Sequence, residues 1–186
     1  MNHLKEKTIK KNKLFTGKII DLYVEDVELP NGKTSKREIV KHPGAVAVIA
    51  VTSENKIVMV QQYRKPLERV LVEIPAGKLE QGEEPIETAK RELEEETGYT
   101  AHKLTHLTSF YTSPGFADEL VHLYVAEGLI KLEIKAQLDE DEFVDVIELT
   151  LDEALAYMSE KRIYDAKTAY AVQHLQMKQL AENSNN

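Results

Sequence analysis

Eight glutamates fall between Glu80 and Glu96, inside the stretch "GKLEQGEEPIETAKRELEEETGY". Carboxylates at that density either solvate a helix face or hold something positive. The segment from Glu84 to Thr97 is expected to be a helix. Pro85 suits its first position, Glu83 and Glu84 lie at the positive end of its dipole, and Gly98 suits its C-terminal cap. With Glu92 at zero on a helical wheel, Glu96 falls at about +40° and Glu95 at about −60°. Three carboxylates therefore share one side, while Ile86, Ala89 and Leu93 form a stripe for the core. Arg91 lies four residues after Glu87 and four before Glu95, so it can tether both; Glu94 points away as surface. Converging carboxylates are the hard oxygen ligands that Mg²⁺ prefers. The chain has no cysteine, so any metal must be held by oxygen or imidazole, and the six histidines show no metal-ligand spacing.

The full spacing is Gly77, five residues, Glu83, seven residues, Arg91-Glu92-Leu93, one residue, Glu95-Glu96, one residue, Gly98 and Tyr99. From ordinary residue frequencies a chance match is on the order of 10⁻⁷. The stretch resembles the signature of the Nudix hydrolases at every fixed position, with Tyr99 where an aliphatic residue is more usual. The resemblance implies an α/β/α sandwich, α+β in class, in which this box forms a loop–helix–loop. It also implies Mg²⁺-dependent hydrolysis, with Mn²⁺ as a substitute, of a nucleoside diphosphate linked to another moiety. By the same resemblance Glu92 and Glu96 are metal ligands, with Glu95 adjoining and the carbonyl of Ala76 as a backbone ligand. Gly77 is expected to let the chain turn there, and Glu83 to brace the loop. The chemistry is consistent: pyrophosphate repels nucleophiles through its own charge, and bound cations neutralise that charge and activate water for in-line attack.

Features outside the box resemble the ADP-ribose pyrophosphatase subgroup. "SPGFADE" places Pro114 sixteen positions beyond Gly98; taken alone it is a Pro-Gly turn. In the subgroup this loop contacts the diphosphate and terminal ribose, which nominates Ser113, Pro114, Gly115, Phe116 and Glu119. "LDEDEF" packs four acids together before a strand, and the resemblance assigns Glu142, with Glu140 as rival, the role of catalytic base or further metal ligand. Glu95 is a candidate for the same catalytic group. Arg64, at the end of "QQYRKP", and Arg37 with Glu38, in "KREIVKH", match pocket-lining positions. A guanidinium suits a phosphate, and Glu38 can accept from an adenine amino group or a hydroxyl. The subgroup commonly exchanges N-terminal strands across a two-fold dimer, and Phe15, Ile19, Ile20, Leu22 and Tyr23 are compatible with such an interface or with an intramolecular sheet.

The elements that must position these residues follow from pattern. Loose alternation from Leu14 to Leu29 and turn chemistry at Asn31-Gly32 suggest an N-terminal strand-rich element, residues 1–42. "GAVAVIAVT" and "KIVMVQQY" read as strands around a turn at Ser53–Asn55, and "RVLVEIPAG" as one short strand ended by Pro75 and Gly77. Further strands are expected at His106–Tyr111, Glu119–Ala126 and Phe143–Leu149. Helices are expected from Leu151 to about Glu160 and from Ala166 to about Leu180, completing a domain over residues 43–182. Residues 183–186 read as a frayed tail. The net charge of −8 over 186 residues argues against nucleic-acid and anionic-membrane binding. No apolar run reaches the roughly 18–20 residues of a bilayer span, and the basic start lacks the apolar core of a signal peptide, so a cytoplasmic protein is expected. ADP-ribose is the expected substrate, another nucleoside diphosphate sugar the alternative. A non-catalytic ADP-ribose sensor is disfavoured because the box is complete.

Overall fold

The computed structural model describes residues 2–134 and 143–184. They form two compact units, each built around its own sheets.

The first unit holds the N-terminal 44 residues and Phe110–Leu120. Three antiparallel strands, β1 (Lys7–Thr16), β2 (Asp21–Glu28) and β3 (Thr34–Lys41), pair in that order. The β2–β3 turn closes through Gly32, whose φ of 78° lies in the left-handed region glycine tolerates. Strand β1 lies inside the element expected to be strand-rich, but only its last three residues fall in the alternating stretch, because nearly all its residues are exposed. Its four lysines suit the sheet edge it occupies. The segment Phe110–Leu120 docks on β3: Val40 N–H donates to the Phe116 carbonyl (2.8 Å), and Asp118 N–H to the Val40 carbonyl (3.2 Å).

The second unit begins at β4 (Ala45–Ala50) and continues through β5 (Ile57–Arg64), β6 (Arg69–Glu73) and β7 (Ala76–Lys78) to helix α1 (Pro85–Thr97). It adds most of β8 (Tyr99–Tyr111) and β9 (Leu120–Lys131), then β10 (Val144–Leu149), α2 (Leu151–Ser159) and α3 (Ala166–Ser184). One sheet has the order β10-β5-β6; the other is β7-β4-β9-β8, with β4 and β9 parallel. The class is α+β, as the sequence implies. Alternate residues of β4 (Val46, Val48, Ala50) pack with Tyr124 and Ala126 of β9 and with Ala89 and Leu93 of α1. That shared core seats the glutamate helix on the sheet.

Three expectations change. "RVLVEIPAG" is two strands in two sheets, β6 beside β5 and β7 beside β4. Pro75 has no amide to continue a ladder; its carbonyl accepts from Val48 N–H (2.9 Å), and Ile74 N–H goes to the Thr168 hydroxyl (3.1 Å). Strand β8 starts at Tyr99, directly after the Gly98 cap, and its exposed polar residues hide it from a hydrophobic scan. Helix α3 continues through Ser184 where fraying is expected.

Candidate active site

Helix α1 is capped as its sequence implies, with Pro85 at its first turn and Gly98 in the left-handed C-cap (φ 72°). Its buried face is Thr88, Ala89, Glu92, Leu93, Glu96 and Thr97. Ile86, expected on the core stripe, is exposed. Two acids thus lie on the inner side of the helix: Glu92 and Glu96 are only 7% and 3% exposed.

Buried carboxylates need partners. The Ala76 N–H donates to Glu96 Oε2 (2.9 Å). Arg91 Nη1 bridges Glu92 Oε1 (2.9 Å) and Glu95 Oε2 (3.0 Å). Its Nη2 and Nε reach back to Glu83 (3.1 and 3.3 Å), which also accepts from the Thr88 hydroxyl (2.8 Å). The arginine therefore pairs with Glu83, in the loop before the helix, and not with Glu87. That contact braces the loop, and it lowers the pKa of Glu83. Burial pushes Arg91 down, but the Glu83 hydrogen bond and the charge of Glu92 outweigh it and hold the guanidinium above its ordinary value. Glu94, expected to be plain surface, accepts from the Thr100 hydroxyl (2.7 Å).

Gly77 is required for a reason other than a turn. A Cβ there would lie 2.0 Å from the Glu92 carboxyl carbon, so the missing side chain is the space the carboxylate occupies. Four acids (Glu80 at 3.9 Å, Glu83, Glu92 and Glu95) close around one guanidinium, and Glu96 lies one turn from Glu92. Such an all-oxygen, electron-rich set fits a hard divalent cation. Among the described residues no three acidic or imidazole side chains already converge as a metal-holding group; the acids point to Arg91 and to the Ala76 amide.

The remaining candidates fall into separate places. Arg64, in the second unit, donates from Nε and Nη2 to both oxygens of Glu73 (2.6 and 2.7 Å). Lys167 also donates to Glu73 and to Asp165 (3.0 Å). Burial pushes Glu73 up, but the Arg64 hydrogen bonds and the charge of Lys167 win and hold it at about 2. In the first unit, Arg37, Glu38, Pro114, Gly115 and Phe116 line one cavity of about 360 Å³ together with Glu6. Ser113 anchors that loop, its carbonyl accepting from Phe116 and Ala117 N–H (3.1 and 2.9 Å). Glu119 accepts from the Thr112 hydroxyl. Glu140 and Glu142 lie outside the described residues.

Sequence reasoning missed Glu6, Glu73, Lys167 and a histidine pair. Glu73 had a signal: an acid inside the apolar strand "RVLVEIP" implies a buried partner. His106 Nε2 and His122 Nδ1 meet on the Ser109 hydroxyl (2.8 and 2.9 Å), a contact no linear spacing shows. Burial and the neighbouring His106 lower the His122 pKa.

The fold and the acidic helix define a class, and comparison with known proteins agrees with it. Residues 41–170 match the NUDIX domain, and residues 6–40 match the nucleoside diphosphate sugar hydrolase N-terminal domain. The chain belongs to the Nudix family. It is 70% identical to an ADP-ribose pyrophosphatase of Bacillus subtilis, over 96% of this chain and 97% of the relative. It is equally 70% identical to a methanol dehydrogenase activator of Bacillus methanolicus, over 94% of both. A GDP-mannose pyrophosphatase of Cronobacter sakazakii is 34% identical over 77% of this chain and 78% of that one. A crystal structure of an ADP compounds hydrolase shares the fold, with a TM-score of 0.83 over 96% of both chains at 19% identity.

Proposed function

We propose that the chain hydrolyses ADP-ribose with water to AMP and ribose 5-phosphate, using Mg²⁺, with Mn²⁺ as a substitute. The observation that carries this reading is 70% identity to an ADP-ribose pyrophosphatase along almost the whole of both chains. The metal would be held by Glu92 and Glu96, with Glu95 and the Ala76 carbonyl adjoining. When bound, such an ion neutralises the diphosphate charge that repels a nucleophile and makes water more acidic. The chain's own groups do the rest. Arg91 fixes the orientation of Glu92 and Glu95, the Ala76 amide fixes Glu96, and Gly77 leaves Glu92 its place. Glu142 or Glu140 accepts the proton from water, with Glu95 the nearest alternative in the box. Arg64, Arg37, Glu38, Ser113, Pro114, Gly115, Phe116 and Glu119 are proposed to contact the substrate. We further propose a cytoplasmic homodimer formed through the N-terminal unit, supported by its exposed Leu14, Phe15, Ile19 and Ile20. Among the described residues no helix is long and apolar enough to cross a membrane.

The test is hydrolysis of ADP-ribose, GDP-mannose and NADH side by side with Mg²⁺. ADP-ribose should be turned over with the highest kcat/KM, yielding equal amounts of AMP and ribose 5-phosphate. Preference for either competitor overturns the assignment. Glu96→Gln should remove most of the turnover, which a mere binder of ADP-ribose would not have possessed. The equal identity to a dehydrogenase activator supports a second reading, that the chain also raises the activity of a dehydrogenase. Adding it to a methanol dehydrogenase assay should raise the rate, and an unchanged rate ends that reading.

A further inference from the structure

Glu73 is 1% exposed at the end of β6, between the buried Val72 and Ile74. A lone carboxylate there would be costly, and two cations from different elements hold it. Arg64, the last residue of β5, grips both oxygens with Nε and Nη2 (2.6 and 2.7 Å). Lys167, in the first turn of α3, donates to the same carboxylate and to Asp165 (3.0 Å). Asp165 also accepts from Thr168 N–H (3.1 Å), and the Thr168 hydroxyl accepts from Ile74 N–H (3.1 Å). Alternating charges on Arg64, Glu73, Lys167 and Asp165 therefore join β5, β6 and the start of α3. Stability is a weak reason to keep them, because well-packed apolar side chains often replace such buried groups without loss. The direction in which they point Arg64 is a stronger reason.

Glu73 lies opposite Val60, four residues before Arg64. At about 3.3 Å per residue the guanidinium must reach back along the strand, toward the end of β6 that leads into Ala76. The Ala76 N–H holds Glu96 (2.9 Å). The Glu73 hydrogen bonds outweigh burial and hold Arg64 above its ordinary pKa, and the charge of Glu96 adds to them. Arg64 thus lies within electrostatic reach of the box, and its side chain is still 38% exposed. With the Nε–Nη2 edge on Glu73, Nη1 is the end turned away from the buried carboxylate.

We infer that Glu73 and Lys167 are positioning residues: Glu73 holds Arg64 by one edge so that Nη1 is offered to the diphosphate, and Lys167 holds Glu73 from the other side. The inference rests on the proposed reading of the chain as a nucleoside diphosphate sugar hydrolase in which Arg64 contacts the substrate. An arginine already fixed by one edge loses less side-chain freedom when it binds.

Steady-state kinetics with ADP-ribose and Mg²⁺ separate positioning from packing. Arg64→Ala should raise KM by about tenfold or more, the loss of one hydrogen bond between charged groups. Glu73→Gln should raise KM by about five- to tenfold, although it leaves the surroundings of Arg64 more positive by one charge. In the Arg64→Ala background the same replacement should move KM by less than about twofold, because the group it positions is gone. Lys167→Met leaves the Arg64–Glu73 pair in place and should raise KM by about two- to fivefold, again only when Arg64 is present. It carries the test if thermal melts show that Glu73→Gln does not fold. A KM that is unchanged or falls in Glu73→Gln overturns the inference, since the carboxylate would then at most compete with the diphosphate for Arg64. Equal effects with and without Arg64 overturn it too, because damage to packing does not depend on that guanidinium. A wild type that does not turn over ADP-ribose sinks the proposed function itself, whereas turnover with additive losses sinks only the roles of Glu73 and Lys167.

Discussion

Gly77 and Glu92 share one small volume, and this gives the box its most direct residue-scale test. A methyl group at position 77 would displace the Glu92 carboxyl, which is the flexible end of a side chain. Gly77→Ala should therefore keep the fold, with melting temperature within a few degrees of wild type, yet lose about a hundredfold in kcat, the cost typical of a roughly 1 Å misplacement. Equal losses in stability and activity would show that Gly77 serves the backbone instead. Glu73 supplies a second test. Its carboxyl is held at about 2 against an ordinary 4.5, so the folded state binds its proton later than the unfolded chain does. The resulting stability is fully present above about pH 4.5 and is lost as the pH falls toward 2, a span of about 3 kcal/mol. Urea midpoints measured from pH 6 to pH 3 should fall more steeply for wild type than for Glu73→Gln. Parallel curves would refute the assignment.

At the scale of elements, the starts of α1 and α2 are fixed by different side chains. Helix α2 starts with a complete capping box. The Thr150 hydroxyl accepts from Glu153 N–H (3.3 Å), and the Glu153 carboxylate accepts from Thr150 N–H (2.8 Å). Thr150→Ala should cost about 1 kcal/mol, read as a lower urea midpoint at an unchanged slope. Helix α1 differs, because its N-cap Glu84 makes no side-chain cap. Its start is fixed instead by Glu83, joined to Thr88 and Arg91. The loop before the helix and the acids along it are thus one hydrogen-bonded assembly, which the eight-residue separation of Glu83 and Arg91 makes possible.

For the molecule as a whole, the first unit leaves Phe15 and Ile19 each 54% exposed, a poor arrangement for a lone chain in water. A dimer through this unit would cover them. Light scattering should give about twice the chain mass of 21.1 kDa, and Phe15→Asp with Ile19→Asp should return it to the single-chain value. A wild type already at 21.1 kDa would dispose of the dimer.

The sequence by itself determined the family, the limits and caps of α1, the acids of the box and most strands of the second unit. These depend on local periodicity, on cap chemistry and on fixed spacing, all of which are written along the chain. It placed β1 in a strand-rich element without its bounds, because the exposed lysines carry no hydrophobic rhythm, and it joined β6 to β7, because a proline between two sheets resembles a proline at a strand end. It paired Arg91 with Glu87 by helical spacing, whereas the guanidinium reaches out of the helix to Glu83. Only the tertiary structure decided that Gly77 is a place for a carboxylate, that Arg64 grips Glu73, and that Glu6 meets Arg37 across thirty-one residues. Long side chains choose partners by distance in space after the backbone has folded, and linear spacing holds no record of that choice.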